Sequence, residues 1–364
     1  MTTATERPAP AQRATAFHTL TVSAVERLCD DAAAVTFAVP DDLRERFAFR
    51  PGQFLTLRRV VDGVEHRRSY SICSPIGQAP RVGVREVCAG LFSRWLVRDV
   101  APGDRVEVQE PAGTFTADPG VTGRHLLIGA GSGITPLLSI AASVLTDPAA
   151  HVTLLYGNRR TRSVMFADEI ADLKDRYGAR LSVIHALSRE PRDVELFSGR
   201  LDAERIRGIL TELVPLDAID HAWLCGPLGM VTDAAGVLEE LGLDKSHIHR
   251  ELFYVGDAPP PPDRHPESSS SGPTSRVTIT LNGRSTTADL PRDRTILDAA
   301  EQVRSDLPFA CKGGVCGTCR ALVCDGAADM RRNYALEDDE VAAGFVLTCQ
   351  TYSNSETLTV DFDR

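Results

Sequence analysis

The sequence predicts a multidomain protein in which an antiparallel β-barrel, a doubly wound α/β domain with a parallel sheet, and a small α+β domain follow one another. Short alternating apolar runs fill residues 17–116, and longer apolar runs alternate with amphipathic helical stretches over residues 117–255. A Pro- and Ser-rich linker at 256–274 separates these regions from residues 275–364. Since alternation is typical of half-buried strands and unbroken apolar runs of buried parallel ones, the two regions need different sheets.

The composition excludes several classes of protein. With 364 residues, 43% of them hydrophobic, the chain is long enough for two or three cores. Fifty acidic against 40 basic residues give a net charge of -10, which argues against nucleic acid as a partner. Residues 1–16 lack the apolar core of a secretory signal, so we expect a disordered leader on a cytoplasmic protein. The uncharged run His125–Thr146 contains three glycines and a proline, which disfavours a membrane span.

The elements can be assigned in chain order. Six alternating runs between residues 18 and 110, separated by turn signals such as Pro51-Gly52, predict six strands that close into a small barrel. From residue 124 onward, five buried strands alternating with helices predict a doubly wound parallel sheet. After the linker, a hairpin around Asn282-Gly283, a short helix over 295–304 and a cysteine-rich loop follow.

The fourth run of the barrel ends with Arg68-Ser69-Tyr70-Ser71. A flavin needs a cation for its pyrophosphate, an aromatic face for its ring and a hydroxyl near N5, and a strand can present these side chains in alternation. Gly90-Leu91-Phe92-Ser93 follows at a distance suited to a second phosphate contact at a helix N-terminus. In the alternative interpretation Arg68 is a surface charge and Tyr70 an ordinary strand aromatic.

A glycine-rich turn, Gly129-Ala130-Gly131-Ser132-Gly133-Ile134-Thr135-Pro136, follows the first buried strand. Its third glycine comes one residue too early for the dinucleotide pattern G-x-G-x-x-G. A strand, a glycine turn and a proline-started helix nevertheless direct main-chain N–H groups at a phosphate. Alternatively, the glycines only close a tight turn. Arg159, Arg160 and Ser163 follow the second strand, where arginines pair bidentately with a ribose 2′-phosphate, so we predict NADPH rather than NADH.

The spacing of the cysteines is the most specific chemical signal. Cys311, Cys316 and Cys319 follow C-x4-C-x2-C, and Cys349 comes after 29 further residues. This is the spacing of a plant-type loop in which four thiolates hold a 2Fe-2S cluster. A zinc site and unligated core cysteines are the alternatives, but zinc usually takes two C-x2-C knuckles. Cys324 lies on a strand-like run, where we expect a small buried side chain rather than a ligand.

These motifs resemble a known family. R-x-Y-S followed by G-x-x-S, within residues 17–253, resembles the ferredoxin-NADP reductase superfamily, and residues 276–363 resemble plant-type ferredoxin domains. The segments FACKGGVCGTC and NYALEDDEVAAGFVLTCQTY are particularly similar to the reductase subunits of bacterial phenylacetyl-CoA epoxidases. The resemblance implies an FAD-binding barrel, an NAD(P)-binding α/β domain and a β-grasp 2Fe-2S ferredoxin domain.

The resemblance also implies roles for the flavin motif. Arg68 and Ser93, beside Gly90, would bind the FAD pyrophosphate. Tyr70 would pack on the flavin, and Ser71 would face its N5.

The nicotinamide motifs are assigned in the same way. Gly129, Gly131 and Gly133 would receive the nicotinamide pyrophosphate, with Thr135 towards the nicotinamide. The final motifs are Cys225-Gly226-Pro227, which resembles a C-G-P whose cysteine lies near the nicotinamide, and HRELF, whose Glu251 would approach the flavin.

A core cysteine and an ordinary surface charge are the alternatives for the last two motifs. We expect Ser71, Cys225 and Glu251 to be the catalytic residues.

Together the motifs predict an electron-transfer chain within one polypeptide. NADPH releases two electrons as hydride and a 2Fe-2S cluster accepts one at a time, so a flavin between them is needed to convert one form of transfer into the other. The resemblance implies a multisubunit di-iron oxygenase as acceptor, most specifically the one that epoxidises phenylacetyl-CoA. The alternatives are a reductase for a steroid or ring hydroxylase, and a redox-sensing or assembly subunit without turnover. We expect no membrane partner.

Overall fold

The computed structural model describes residues 16–88, 90–118, 120–254, 273–336 and 338–364. The strands in these ranges form three sheets. The first two sheets lie in one compact unit and the third in another. Except for Ala16, Pro273 and Thr274, the predicted leader and linker lie outside the described residues.

The first sheet is the predicted six-stranded antiparallel barrel. Its elements are β1 (Phe17–Cys29), β2 (Ala32–Ala38), β3 (Phe54–Val61), β4 (Val64–Ser71), β5 (Arg81–Arg85), α1 (Leu91–Arg98) and β6 (Arg105–Gln109). The strand order is β4-β3-β6-β1-β2-β5. Ile72, directly after β4, forms an antiparallel bridge with Val82 of β5, which joins the two ends of the sheet. Phe92 and Leu96 of α1 pack into the barrel core.

The second sheet has five parallel strands, as predicted, in the order β11-β10-β7-β8-β9. Its elements are β7 (Arg124–Ala130), α2 (Ile134–Val144), β8 (His151–Asn158), α3 (Ala167–Tyr177), β9 (Leu181–Leu187), α4 (Ala203–Leu213), β10 (His221–Pro227), α5 (Leu228–Glu240) and β11 (Ile248–Tyr254). Helices α2 and α3 pack in one hydrophobic cluster, and α4 and α5 in a second. This arrangement buries both faces of the sheet, which explains the unbroken apolar runs of its strands.

Helix α4 is an element that the sequence analysis did not anticipate. The Asp202 side chain accepts a hydrogen bond of 3.0 Å from the Arg205 main-chain N–H and so caps the helix. Ile206, Ile209 and Leu210 are fully buried on its inner face. Both the cap and the spacing of these apolar residues are helix signals that the sequence contains.

The third sheet belongs to an α+β domain with the strand order β13-β12-β16-β14-β15. Its elements are β12 (Thr274–Leu281), β13 (Arg284–Pro291), α6 (Ile296–Ala300), β14 (Arg320–Met330), α7 (Asp338–Ala342), β15 (Phe345–Leu347) and β16 (Thr351–Asp361). Strands β12 and β16 are parallel, and the other pairs are antiparallel. The hairpin at Asn282-Gly283 is confirmed, whereas α6 is shorter than the predicted helix.

Candidate functional site

The three predicted catalytic residues meet where the barrel contacts the parallel sheet. Ser71 is the last residue of β4, while Cys225 and Glu251 are register partners on the neighbouring strands β10 and β11. The Ser71 hydroxyl donates a hydrogen bond of 3.1 Å to Glu251 Oε2, and the Cys225 thiol contacts the same oxygen at 3.9 Å. A hydroxyl group and a thiol group, which come from two different domains, therefore contact the same carboxyl group.

Burial determines the protonation of the Glu251 carboxyl and the Cys225 thiol. It raises the pKa of the Glu251 carboxyl to about 8, although the hydrogen bonds from Ser71 and Cys225 act in the opposite direction. Burial and the neighbouring Glu251 raise the pKa of the Cys225 thiol. At neutral pH the carboxyl is therefore mostly protonated and the thiol neutral, so the three side chains place no full charge at this point.

The predicted phosphate loop lies against the end of β10. A Cβ at Gly133 would come within 2.1 Å of the Cys225 carbonyl oxygen, so only glycine allows this approach. Gly131 has a φ of +57°, and its carbonyl oxygen accepts a hydrogen bond of 2.9 Å from the buried Tyr156 hydroxyl. Gly129 packs closely against α2, since an added Cβ would lie 2.6 Å from Leu137 Cδ1. The main chain of the loop is thus held at the start of α2.

Thr135 follows the glycines of this loop, and the C-G-P segment packs against Gly133. Thr135 is 1% exposed, and its hydroxyl donates to the Ser132 carbonyl at 3.0 Å. Its methyl group packs against Gly83 of the barrel, where an added Cβ would come within 2.6 Å. Gly226 is buried and Pro227 is exposed at the end of β10.

In the flavin motif, Tyr70 packs against α1. The Tyr70 ring packs against Phe92 of α1 with 6.1 Å between the ring centroids, and burial raises the pKa of its phenol. Arg68, two residues earlier on β4, is exposed. A Cβ at Gly90 would lie 2.5 Å from Ser93 Oγ, so glycine is required for this turn. Ser93 is 6% exposed, and its hydroxyl accepts a hydrogen bond from the main-chain N–H of Val87 at 3.1 Å.

These contacts fit a flavin nucleotide. Arg68 supplies an exposed positive charge, and Gly90 leaves the N-terminus of α1 free of a side chain at the position where a phosphate is expected. Ser93 contributes by holding this turn in shape, because its hydroxyl is engaged with Val87 N and with the Gly90 carbonyl at 3.3 Å.

The loop after β8 carries the predicted 2′-phosphate residues. Arg159 and Arg160 are exposed, and neither guanidinium donates a hydrogen bond or forms an ion pair within the described residues. The Arg160 main-chain N–H donates to the Ser163 hydroxyl at 3.1 Å, and this hydroxyl donates back to the Arg160 carbonyl at 2.7 Å. The two cations are therefore available while their main chain is fixed.

Arg85 is a residue at this site that the sequence analysis missed. It ends β5 of the barrel, and its guanidinium donates to the Ser163 carbonyl. Its Nη1 lies 3.6 Å from where a Cβ of Gly131 would be, and its Nε forms an ion pair of 3.4 Å with Asp31. The barrel thus supplies a cation between the glycine-rich loop and the loop after β8. The alternation of RVGVR indicates a strand but gives no sign of this contact.

In the second unit the four predicted cysteine ligands interact with one another. The Cys311 thiol interacts with Cys316, and the Cys319 thiol interacts with Cys349. The hydrogen bond with Cys316 and those from main-chain N–H groups lower the pKa of Cys311. Four thiols that lie close enough to interact fit a cluster that is held by four thiolate ligands. Glycines with positive φ, Gly314 and Gly317, turn the loop between them.

The spare cysteine differs from the expectation. Cys324 lies on β14, as predicted, but its side chain is exposed rather than buried. This prediction was wrong because the stretch of β14 around Cys324 is open to solvent on both faces, so the apolar run RALV does not continue into it. The Cys324 thiol contacts the Leu322 carbonyl at 3.9 Å, which separates it from the four predicted ligands.

Comparison with protein families matches three segments. Residues 19–117 match the oxidoreductase FAD-binding domain, residues 127–236 the oxidoreductase NAD-binding domain, and residues 279–354 the 2Fe-2S iron-sulfur cluster binding domain. The chain is 42% identical to a component of the 1,2-phenylacetyl-CoA epoxidase of Escherichia coli (strain K12) over 354 residues, which cover 96% of this chain and 98% of that protein. The chain belongs to the family of oxygenase reductase components that combine these three domains.

One further relative and one solved structure extend the comparison. The ferredoxin reductase component of 3-ketosteroid-9-alpha-monooxygenase from Rhodococcus rhodochrous is 35% identical over 94% of this chain and 96% of its own length. The solved structure of phthalate dioxygenase reductase has the same fold, with a TM-score of 0.59 and 23% identity over 95% of this chain and 98% of that one.

Family membership confirms the predicted fold class and the overall chemistry. The chain is an NAD(P)H-dependent oxidoreductase that binds FAD, a nicotinamide nucleotide and a 2Fe-2S cluster. None of the helices in the described residues is long and apolar enough to span a membrane.

Proposed function

We propose that this protein is the NADPH-dependent reductase component of an oxygenase, in which electrons pass from NADPH through FAD and the 2Fe-2S cluster to the oxygenase. The observation that carries the proposal is the meeting of Ser71, Cys225 and Glu251 between the flavin motif and the nicotinamide loop. A chain that only sensed redox state or assisted assembly would not need this arrangement.

The residues of the chain position the reactants. FAD supplies the chemistry, since it accepts hydride and releases electrons singly. Ser71 holds Glu251 through their hydrogen bond, and Glu251 holds the Cys225 thiol beside the end of the nicotinamide loop. The close approach of Gly133 to Cys225 ties this loop to the same point. The protein thereby brings the two ring systems together without a general base or a nucleophile.

NADPH is the proposed donor because the loop after β8 offers the exposed guanidinium groups of Arg159 and Arg160. Arginine binds phosphate bidentately, whereas selection of NADH usually uses a carboxylate that accepts the ribose 2′-hydroxyl. The experiment is a comparison of steady-state kinetics with the two nucleotides and ferricyanide as acceptor. A lower KM for NADPH supports this part of the proposal, and equal values remove it.

The proposed acceptor is a multisubunit di-iron oxygenase that epoxidises phenylacetyl-CoA, and the proposed location is the cytoplasm. The 42% identity with the epoxidase component favours this acceptor. The second candidate is a ketosteroid monooxygenase, which the 35% identity with its reductase component supports. Reconstitution with the oxygenase components of each system separates them. Product formed from phenylacetyl-CoA at the expense of NADPH supports the first acceptor, and turnover of a 3-ketosteroid alone supports the second.

A further inference from the structure

The loops that follow β8 and β9 are joined beyond the ends of their strands. The main-chain N–H of Ser188 donates to the Asn158 carbonyl at 2.9 Å, and that of Arg189 donates to the Arg159 carbonyl at 2.8 Å. Two main-chain hydrogen bonds therefore link the loop after β9 to the segment that carries the two exposed arginines. The loop after β9 can thus control the position of the loop after β8.

Glu190 is the side chain that completes this connection. One carboxylate oxygen accepts the main-chain N–H of Thr161 at 2.9 Å, and the other accepts the Thr161 hydroxyl at 2.7 Å. Both bonds lower the pKa of Glu190, with smaller contributions from Arg160 and Arg192. The carboxylate thus anchors the residue that immediately follows Arg160.

We infer that Glu190 is a positioning residue for nucleotide specificity, because it fixes the Thr161 turn and thereby the main chain that presents Arg159 and Arg160 to a ribose 2′-phosphate. The inference rests on the NADPH preference proposed above. Each oxygen of the carboxylate accepts a hydrogen bond from Thr161, so Glu190 serves as an anchor of the turn.

Loss of the Glu190 anchor should affect the binding of NADPH and of NADH differently. The adenosine ribose of NADPH carries the phosphate that would meet the two guanidinium groups, whereas that of NADH lacks it. Loosening the Thr161 turn should therefore weaken binding of NADPH and leave binding of NADH nearly unchanged. A residue needed only for folding would affect both nucleotides equally.

The negative charge of Glu190 has an effect on NADPH binding that is opposite to the effect of its hydrogen bonds. Glu190 lies close enough to Arg160 for the two charges to interact, so a carboxylate at this position also repels an incoming phosphate. Two variants separate anchoring from repulsion. Glu190→Ala removes both the charge and the hydrogen bonds, whereas Glu190→Gln removes the charge but keeps an oxygen that can accept from Thr161.

The test is KM and kcat of the holoenzyme with NADPH and with NADH, with ferricyanide as acceptor. We expect Glu190→Ala to raise KM for NADPH about tenfold at unchanged kcat, and KM for NADH by less than about twofold. Glu190→Gln should recover most of the loss, and Thr161→Val, which removes only the hydroxyl bond, should lie in between.

Other results would overturn the inference. Equal effects of Glu190→Ala on both nucleotides would show a purely structural role, and a lower KM for NADPH would show that repulsion dominates. The wild-type enzyme tests the proposed function separately. If it has no preference for NADPH, both the NADPH assignment and the role of Glu190 fail, whereas a preference that Glu190→Ala leaves intact contradicts the role of Glu190 alone.

Discussion

The Ser71 hydroxyl of the barrel donates a hydrogen bond of 3.1 Å to the Glu251 carboxyl of the neighbouring parallel-sheet domain. This contact joins the last residue of the R-x-Y-S motif to a residue 180 positions later in the chain. Burial raises the pKa of this carboxyl group to about 8, although the hydrogen bond from Ser71 acts in the opposite direction. The protonation of Glu251 therefore changes within the range in which such an enzyme works.

Reduction of the flavin by NADPH should become slower as the pH rises through about 8, because ionised Glu251 places a negative charge beside the group that receives the hydride. Glu251→Gln keeps the size of the side chain and cannot ionise, so its rate should be independent of pH in this range. Stopped-flow absorbance at several pH values measures the rate. A break near pH 8 that persists in Glu251→Gln would show that another group is responsible.

The raised pKa of Glu251 also predicts how the stability of the protein changes with pH. The folded-state pKa of Glu251 lies above the ordinary value of 4.5, so the folded state holds the proton more tightly and loses this advantage as the pH rises from 4.5 through about 8. Glu251→Gln should therefore gain a few degrees in Tm relative to the wild type when both are compared at pH 9 rather than pH 5. Thermal unfolding at both pH values checks the sign.

Gly133→Ala should weaken nucleotide binding because its new Cβ would lie 2.1 Å from the Cys225 carbonyl oxygen and 2.9 Å from Gly226 N. Either the phosphate loop or the end of β10 must then move. We expect KM for NADPH to rise at least about tenfold. Gly236→Ala is the matched control, since it lies within α5 and its Cβ would meet no atom within 4 Å. Identical kinetics for the two variants would contradict this placement of the loop.

Cys349→Ser should abolish or cripple the cluster while reduction of the flavin by NADPH continues. Its thiol is buried and paired with Cys319, so the loss leaves one iron with an incomplete ligand set. Cys324→Ser is the control because this thiol lies on β14 and contacts the Leu322 carbonyl rather than another cysteine. Visible absorbance and iron content of the purified variants are the measurements. Normal cluster absorbance in Cys349→Ser, or its loss in Cys324→Ser, would mean that the fourth ligand is assigned wrongly.

A group of histidines around Trp223 should make the protein sensitive to acid. The His249 ring stacks on Trp223 with centroids 4.0 Å apart, and Trp223 Nε1 donates to Nδ1 of the buried His125 at 3.2 Å. Burial, together with the neighbouring His221, lowers the pKa of both His125 and His249 to about 4. Since an unfolded histidine titrates near 6.5, the unfolded state takes up more protons between pH 6.5 and 4.

The free energy of unfolding should therefore decrease as the pH falls through this window. Urea unfolding of the wild type and of His249→Gln at pH 7 and pH 5 measures the change. We expect the difference between the two pH values to be smaller in the variant by about 1 kcal/mol, because one of the neutral histidines is gone. An unchanged difference would show that His249 does not contribute to the acid sensitivity.

Much of the architecture could be predicted because it depends on local patterns. The two kinds of hydrophobic periodicity identified the barrel strands and the parallel strands, and the spacing of Cys311, Cys316 and Cys319 identified the cluster loop. The meeting of Ser71 and Glu251 was expected only through the resemblance to a family. The roles of individual site residues remain predictions that the variants above test.

The features that were missed depend on contacts between distant segments. Arg85 reaches Ser163 from another domain, and Glu190 binds Thr161 from a neighbouring loop, so no motif in the sequence contains either pair. The exposure of Cys324 depends on which stretch of β14 the rest of its domain covers. Local periodicity contains no information about such tertiary contacts.

The most direct test of the complete electron path is an anaerobic titration of the purified protein with NADPH, followed by visible absorbance and low-temperature EPR. We predict bleaching of the flavin absorbance together with the EPR signal of a reduced 2Fe-2S cluster, because the three domains form one electron-transfer chain. Reduction of the flavin without a cluster signal would contradict this account, since residues 275–364 would then not carry electrons onward to an oxygenase.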